Sequence, residues 1–165
     1  LFFASIARLD QTSKGAIVMP TSIWVSYPTD DMERSKAFYT VLGATINPRF
    51  TDDNAACWVW AENIYTMVLK REFFATFTDK DVGQAGSSAQ FQIAFSRDSR
   101  EDVDAVIEAG LAAGGSEHGQ AQDYGFMYAR DLEDPDGNIV SFTYMLSEAA
   151  ELGPAAYMAT QQAQA

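Results

Sequence analysis

The sequence predicts an α+β fold in which two βαβββ modules form a curved mixed sheet around a shared cavity, with the helices on the outside. Three observations predict it. The same order of hydrophobic patterns, one strand, one helix and three strands, is read over residues 21–70 and again over 89–146. Each helical pattern opens on a capping residue and stops at glycine, Gly43 in the first module and Gly114-Gly115 in the second. Each module closes on two strand-like runs separated by a tight turn, Glu62-Asn63 in one and Asp134-Pro-Asp-Gly137 in the other.

In the first module the run Ser22 to Tyr27 alternates, with Ile23, Val25 and Tyr27 on one side and Trp24 and Ser26 on the other. Asp30 and Glu33 have capping-box spacing, and Phe38, Val41 and Leu42 then mark one helical face. Strands are expected at Thr45 to Phe50, Ala56 to Ala61 and Ile64 to Lys70. Residues 71–88 carry Phe73, Phe74 and Phe77 before turning polar, the pattern of a short covering helix and a linker. The second module begins with Phe91, Ile93 and Phe95 alternating against Gln92 and Ala94. Ser99 and Asp102 repeat the cap, and Val103, Val106, Ile107, Gly110 and Leu111 form one stripe. Its closing strands are expected near Ser116 to Gln120, Phe126 to Leu132 and Asn138 to Met145. Residues 1–20 are read as an N-terminal appendage and 147–165 as a C-terminal tail, so the domain itself spans 21–146.

A sheet covered by a helix on one face leaves its other face bare. The two modules, or the modules of two chains, are therefore expected to turn those bare faces together and enclose a ligand. Composition narrows the ligand class. The 165 residues hold 11 Lys and Arg against 23 Asp and Glu, a net charge of −12, so the chain lacks the basic footprint that nucleic acid requires. No run approaches the roughly 20 apolar residues of a membrane-spanning helix. One histidine, His118, and one cysteine, Cys57, are too few for a structural zinc site, and a lone cysteine allows no disulfide within the chain. A reducing, cytoplasmic setting is compatible with that.

The stretches Asp31-Met-Glu-Arg-Ser-Lys-Ala-Phe-Tyr39 with Leu42-Gly43, Ser99-Arg-Glu-Asp-Val-Asp104, Ala112-Ala-Gly-Gly115, Gln122-Asp-Tyr-Gly-Phe-Met-Tyr128 and Asp134-Pro-Asp-Gly137 carry a resemblance. Over residues 21–146 the chain resembles the vicinal oxygen chelate superfamily of glyoxalase, bleomycin-resistance and extradiol-dioxygenase-like proteins, and within it a bacterial glyoxalase-like branch. In metal-dependent members, His and Glu from the first and last strand of each module hold a divalent ion. The resemblance puts those positions at Trp24, Thr66, Gln92 and Ser141, none of which is an imidazole or a carboxylate. No metal or other cofactor is therefore expected. The resemblance also implies a homodimer.

By alternation, the side away from the helices presents Trp24, Ser26, Gln92 and Ser141, with Thr66 placed beside them, a wall of aromatic and neutral hydrogen-bonding groups suited to an organic ligand. Tyr124 and Phe126, in the resemblance-bearing stretch, are added as rim residues. Asp123 is either a base or a turn organiser, and His118 either an untasked surface histidine or a general base. Trp58 and Trp60 share one strand face and serve the cavity mouth, the core or a dimer contact, and Cys57 reads as a small buried hydrophobe. The expected function is metal-free binding of a small organic molecule, cationic or aromatic in view of the acidic surface. The alternatives are a metal-independent lyase, isomerase or epimerase acting on a small carbonyl compound, and a metal-dependent glyoxalase-type enzyme whose ligands lie elsewhere.

Overall fold

The computed structural model describes residues 21–164, so the appendage expected at the N-terminus lies outside the described residues. The first module runs β1 (Ile23–Thr29), α1 (Met32–Val41), β2 (Thr45–Ile46), β3 (Ala55–Ala61) and β4 (Ile64–Lys70). A short helix α2 (Arg71–Phe74) with one following 3-10 turn then leads into the linker. The second module repeats the order with β5 (Gln92–Ser96), α3 (Arg100–Ala112), β6 (Ser116–Asp123), β7 (Met127–Glu133) and β8 (Ile139–Met145). Two helices, α4 (Ser147–Leu152) and α5 (Pro154–Gln164), occupy the expected tail, with Gly153 between them at φ +81°.

The duplication extends to hydrogen-bond topology. The sheets have strand orders β1-β4-β3-β2 and β5-β8-β7-β6, with β1 parallel to β4 and β5 parallel to β8. Two local expectations shift. The cap of α1 is Asp31, whose side chain accepts from the Arg34 amide at 3.0 Å, one residue beyond Asp30. The strand expected to reach Phe50 ends at Ile46, because Pro48 has no amide to donate and the Asn47 side chain turns the chain by accepting from the Arg49 amide. Ser99 caps α3 as expected.

One core joins the modules. Tyr27, Trp58 and Val68 from the first sheet meet Phe38, Tyr39 and Leu42 of α1. The same cluster contains Val103 and Ile107 of α3 with Leu132, Val140 and Phe142 of the second sheet. Each fully buried Phe or Leu there contributes about 1.5–3 kcal/mol. Two glycines make the approach possible. A Cβ on Gly110 would lie 3.0 Å from a Leu42 methyl, and one on Gly115 would lie 2.7 Å from the Phe38 ring, so α1 seats directly on the second module.

A turn fastens the junction. Asp136, between β7 and β8, accepts from Thr29 at 2.6 Å and from Arg34 at 2.7 Å, while Asp134 accepts from the Tyr39 hydroxyl at 2.7 Å. The α+β two-module architecture is thus as the sequence predicts, and one feature of the expectation changes. Within the single chain the modules pack through their helix sides, where the large apolar side chains are, and the opposite faces look away from this shared core. No helix among the described residues is long and apolar enough to cross a membrane.

Candidate functional site

The faces away from the helices carry most of the side chains expected to bind a ligand, and they differ in chemistry. On the first sheet, Trp24 stacks on Tyr65 with centroids 4.1 Å apart and planes 11° from parallel, and Phe50 meets the indole edge-on at 5.8 Å. Phe73 and Phe74 of α2 fold over the same face, around buried Cys57, Met67 and Leu69. Burial pushes the Cys57 thiol up to about 11, which leaves it without nucleophilic character near neutrality. Ser26 stands exposed on this face beside Met67 in the register.

Thr66 does not join them. It pairs with Val25 and Trp58, on the helix side, is buried, and accepts from the Trp60 indole at 3.0 Å. The expected common face for Trp24 and Thr66 is corrected accordingly: the residues of β4 that share Trp24's face are Tyr65 and Met67. Trp58 and Trp60 also belong to the helix side. Trp58 is in the core against Tyr39, and Trp60 stacks on Phe95 of the second module at 3.8 Å.

On the second sheet the outer face is polar. Gln92 and Ser141 both lie on it, as expected, and the register supplies neighbours: Ala94, Ser141, Asp131 and His118 follow one another across β5, β8, β7 and β6. The Gln92 amide donates to Asp131 Oδ1 at 3.2 Å, and His118 Nδ1 lies 2.9 Å from Glu133 Oε1. Sequence reasoning missed Asp131. The signal available was the parity of Ala129, Asp131 and Glu133 against Tyr128, Arg130 and Leu132 along β7.

Tyr124 and Phe126 occupy the β6–β7 turn, away from both central strands. Tyr124 is 56% exposed, and Phe126 packs against Tyr157 of α5 at 5.6 Å. Asp123 organises this turn. It accepts from the Gly125 amide and takes a two-pronged ion pair from Arg100 at 2.6 and 2.8 Å, which holds its carboxyl down to about 2 and removes it as a base. Two crevices are formed by the described residues, one within the first module and its linker and one between the modules. The one of about 600 Å³ beside α2 is bounded by Arg71, which is spent on Asp30 and on linker carbonyls. The other, of about 580 Å³, lies between α3 and Trp60.

The four positions that the resemblance marks for a metal do not fit a divalent ion. Gln92 and Ser141 offer neutral oxygens, Trp24 offers none, and Thr66 faces the core; among the described residues no group of three or more His, Cys, Asp or Glu is placed to hold a metal.

Comparison with known proteins agrees with this fold. A family model described as bleomycin resistance protein-like N-terminal matches residues 21–59. A structure of a hypothetical protein from S. aureus superposes with a TM-score of 0.65 at 20% identity, covering 77% of this chain and 95% of that one. A glyoxalase/bleomycin resistance protein/dioxygenase family enzyme from Burkholderia phytofirmans gives 0.62 at 20% identity, covering 74% and 97%. Fosfomycin resistance protein FosX from Mesorhizobium loti gives 0.57 at 12% identity, covering 81% and 99%. No curated protein matches the chain by sequence. Paired βαβββ modules with these neighbours define a protein of the vicinal oxygen chelate fold. The family-model match lies inside the first module and is to a bleomycin-resistance-like model.

Proposed function

We propose that the protein binds a small organic molecule without a metal, and that a second copy of the chain completes the binding cleft. One observation carries this reading: each chain turns an aromatic face and a polar face away from its own core, so neither face closes over a ligand alone. A second copy would bring the aromatic face of one chain against the polar face of the other. β1 and β5 stand at the edges of their sheets, where unpaired backbone groups favour such an association. The missing donor set favours a metal-free cleft, and the buried lone thiol suits a cytoplasmic protein.

Light scattering on the eluted protein is expected to give twice the mass of one chain, and small aromatic cations are expected to change the fluorescence of Trp24 saturably. A monomer with no fluorescence response across a panel of small aromatics would overturn the reading. Stoichiometric metal in protein purified without chelator would overturn its metal-free part.

A second reading has an observation of its own. Asp131 and His118 put a carboxylate and an imidazole on the outer face of the second sheet, the groups that a metal-independent lyase, isomerase or epimerase would need for proton transfer. Exchange of a substrate's carbon-bound hydrogen with deuterated solvent, lost in Asp131→Asn, is the result required; an absence of exchange across small carbonyl compounds removes it.

A further inference from the structure

The helix α2 lies over the aromatic face of the first sheet, and little in its own sequence holds it there. Four residues are too few for a helix to sustain itself, and no side chain caps its N-terminus. Its two sides meet different surroundings. Phe73 and Phe74 pack against the cluster of Cys57, Met67 and Leu69 that also gathers Trp24 and Tyr65. Glu72 and Ala75, three residues apart on the other side of the turn, are exposed and line the crevice of about 600 Å³, whose further walls include Met32 of α1 and Lys80 to Val82 of the linker. The segment is thus packed against the sheet on one side, and on the other the crevice gives it room to move.

One side chain latches it. The Arg71 guanidinium donates to Asp30 at 2.5 Å, to the Gly83 carbonyl at 3.0 Å and to the Gln84 side chain at 3.1 Å. Asp30 belongs to the connection between β1 and α1, so this single group ties α2 to the end of the sheet and to the linker together. The strand before it is fixed separately, because the Lys70 amide donates to the Asn54 carbonyl at 2.8 Å. Movement of α2 therefore begins after Lys70. At its far end the ring of Phe77 meets Phe73 edge-on at 5.2 Å and stands half in solvent.

Resting on the ligand-binding reading above, we propose that residues 71–77 are a lid over the aromatic face, latched by Arg71, and that Phe73 and Phe74 keep the place an aromatic ligand takes when the lid opens. An aromatic ring of the ligand makes contacts with the cluster like those the two phenylalanines give up. The bonds of Arg71 set the fraction of chains that are open, and the apparent affinity is the intrinsic one reduced by that fraction.

Cys57 supplies the probe of opening, because it is the single thiol of the chain and is fully buried in that cluster. Iodoacetamide labelling of the full chain, followed by intact mass, is expected to be slow in the native protein and to depend weakly on urea well below the unfolding transition, as a local opening does. Asp30→Asn is expected to raise the rate about threefold, the worth of an exposed ion pair, and Arg71→Ala about tenfold, since it loses the linker bonds as well. Asp123→Asn breaks an ion pair of matching exposure in the second module and is expected to leave the rate unchanged. In the same proteins 2-phenylethylammonium, read by tryptophan fluorescence, is expected to bind Arg71→Ala more tightly by the factor seen in labelling. Labelling that follows global unfolding in every variant overturns the lid whatever the probe does, as do Asp30→Asn and Arg71→Ala chains that label like the native one or like Asp123→Asn. Equal affinity of the probe for native and Arg71→Ala chains overturns the gating. Labelling that responds to the latch while the probe binds neither chain upholds the lid and counts against the binding reading alone.

Discussion

The two modules share strand order and cap chemistry, and their helix sides form one continuous apolar core. Their outer faces have diverged completely. The first carries Trp24, Tyr65, Met67 and Cys57 under Phe73 and Phe74, while the corresponding side of the second carries Gln92, Ser141, Asp131 and His118. The contrast separates two demands on one backbone. A face that must hold the module together repeats, because removing apolar side chains there destabilises the whole core. A face free of that demand can specialise, as the paired Gln92 and Asp131 of the second sheet do.

The largest expected effect tests whether the helix sides form one unit. Phe38 is fully buried and reaches across α1 to Gly115 of the second module. Phe38→Ala is expected to cost about 3–5 kcal/mol and to lower a single cooperative urea transition followed by near- and far-ultraviolet circular dichroism. Two separated transitions would mean that the modules fold independently and that the shared core is a weak junction.

Next in size is the contrast between the outer faces themselves. Trp24→Ala removes an indole stacked on Tyr65 and touched edge-on by Phe50, and is expected to cost about 2 kcal/mol. Gln92→Ala, at the first-strand position of the other module, is expected to change stability by no more than about 0.5 kcal/mol, because its side chain is exposed and packs little. Equal costs in chemical denaturation would erase the distinction between a structural face and a free one.

How far these faces were legible in the sequence follows from their patterns. β8 alternates plainly, with Val140 and Phe142 inward and Ser141 and Thr143 outward, so the face of Ser141 is read correctly from sequence. β4 does not. Met67, Val68 and Leu69 are buried in succession because both sides of that strand are covered, so hydrophobicity carries no parity and Thr66 is assigned to the wrong side. β7 hides Asp131 for the opposite reason. Arg130 points inward and is satisfied there by Asp104, Glu108 and Glu117, so charge appears on both faces of the strand. The caps and tight turns were the most legible features, since their spacing is local; the packing of the helices between the sheets depends on close approach at Gly110 and Gly115, which no local pattern announces.

The smallest expected effect compares two carboxylates of the second module with opposite shifts. Asp134 is buried, and desolvation raises its pKa above 3.8 despite the donors from Asn138 and Tyr39. Its contribution to stability is full below the unfolded value and is lost as pH rises through the folded one. Asp123 is the reverse: the Arg100 guanidinium holds it down to about 2, so its contribution is present above 3.8 and is lost as pH falls toward about 2. Asp134→Asn, which keeps a neutral side chain at every pH, is therefore expected to compare better with the native chain at pH 7 than at pH 3.5. Asp123→Asn is expected to compare worse at pH 7 than at pH 2. Urea denaturation of both variants across pH 2–7 checks the signs; parallel profiles for the two would show that the burial of Asp134 and the exposed ion pair of Asp123 do not act differently on folding.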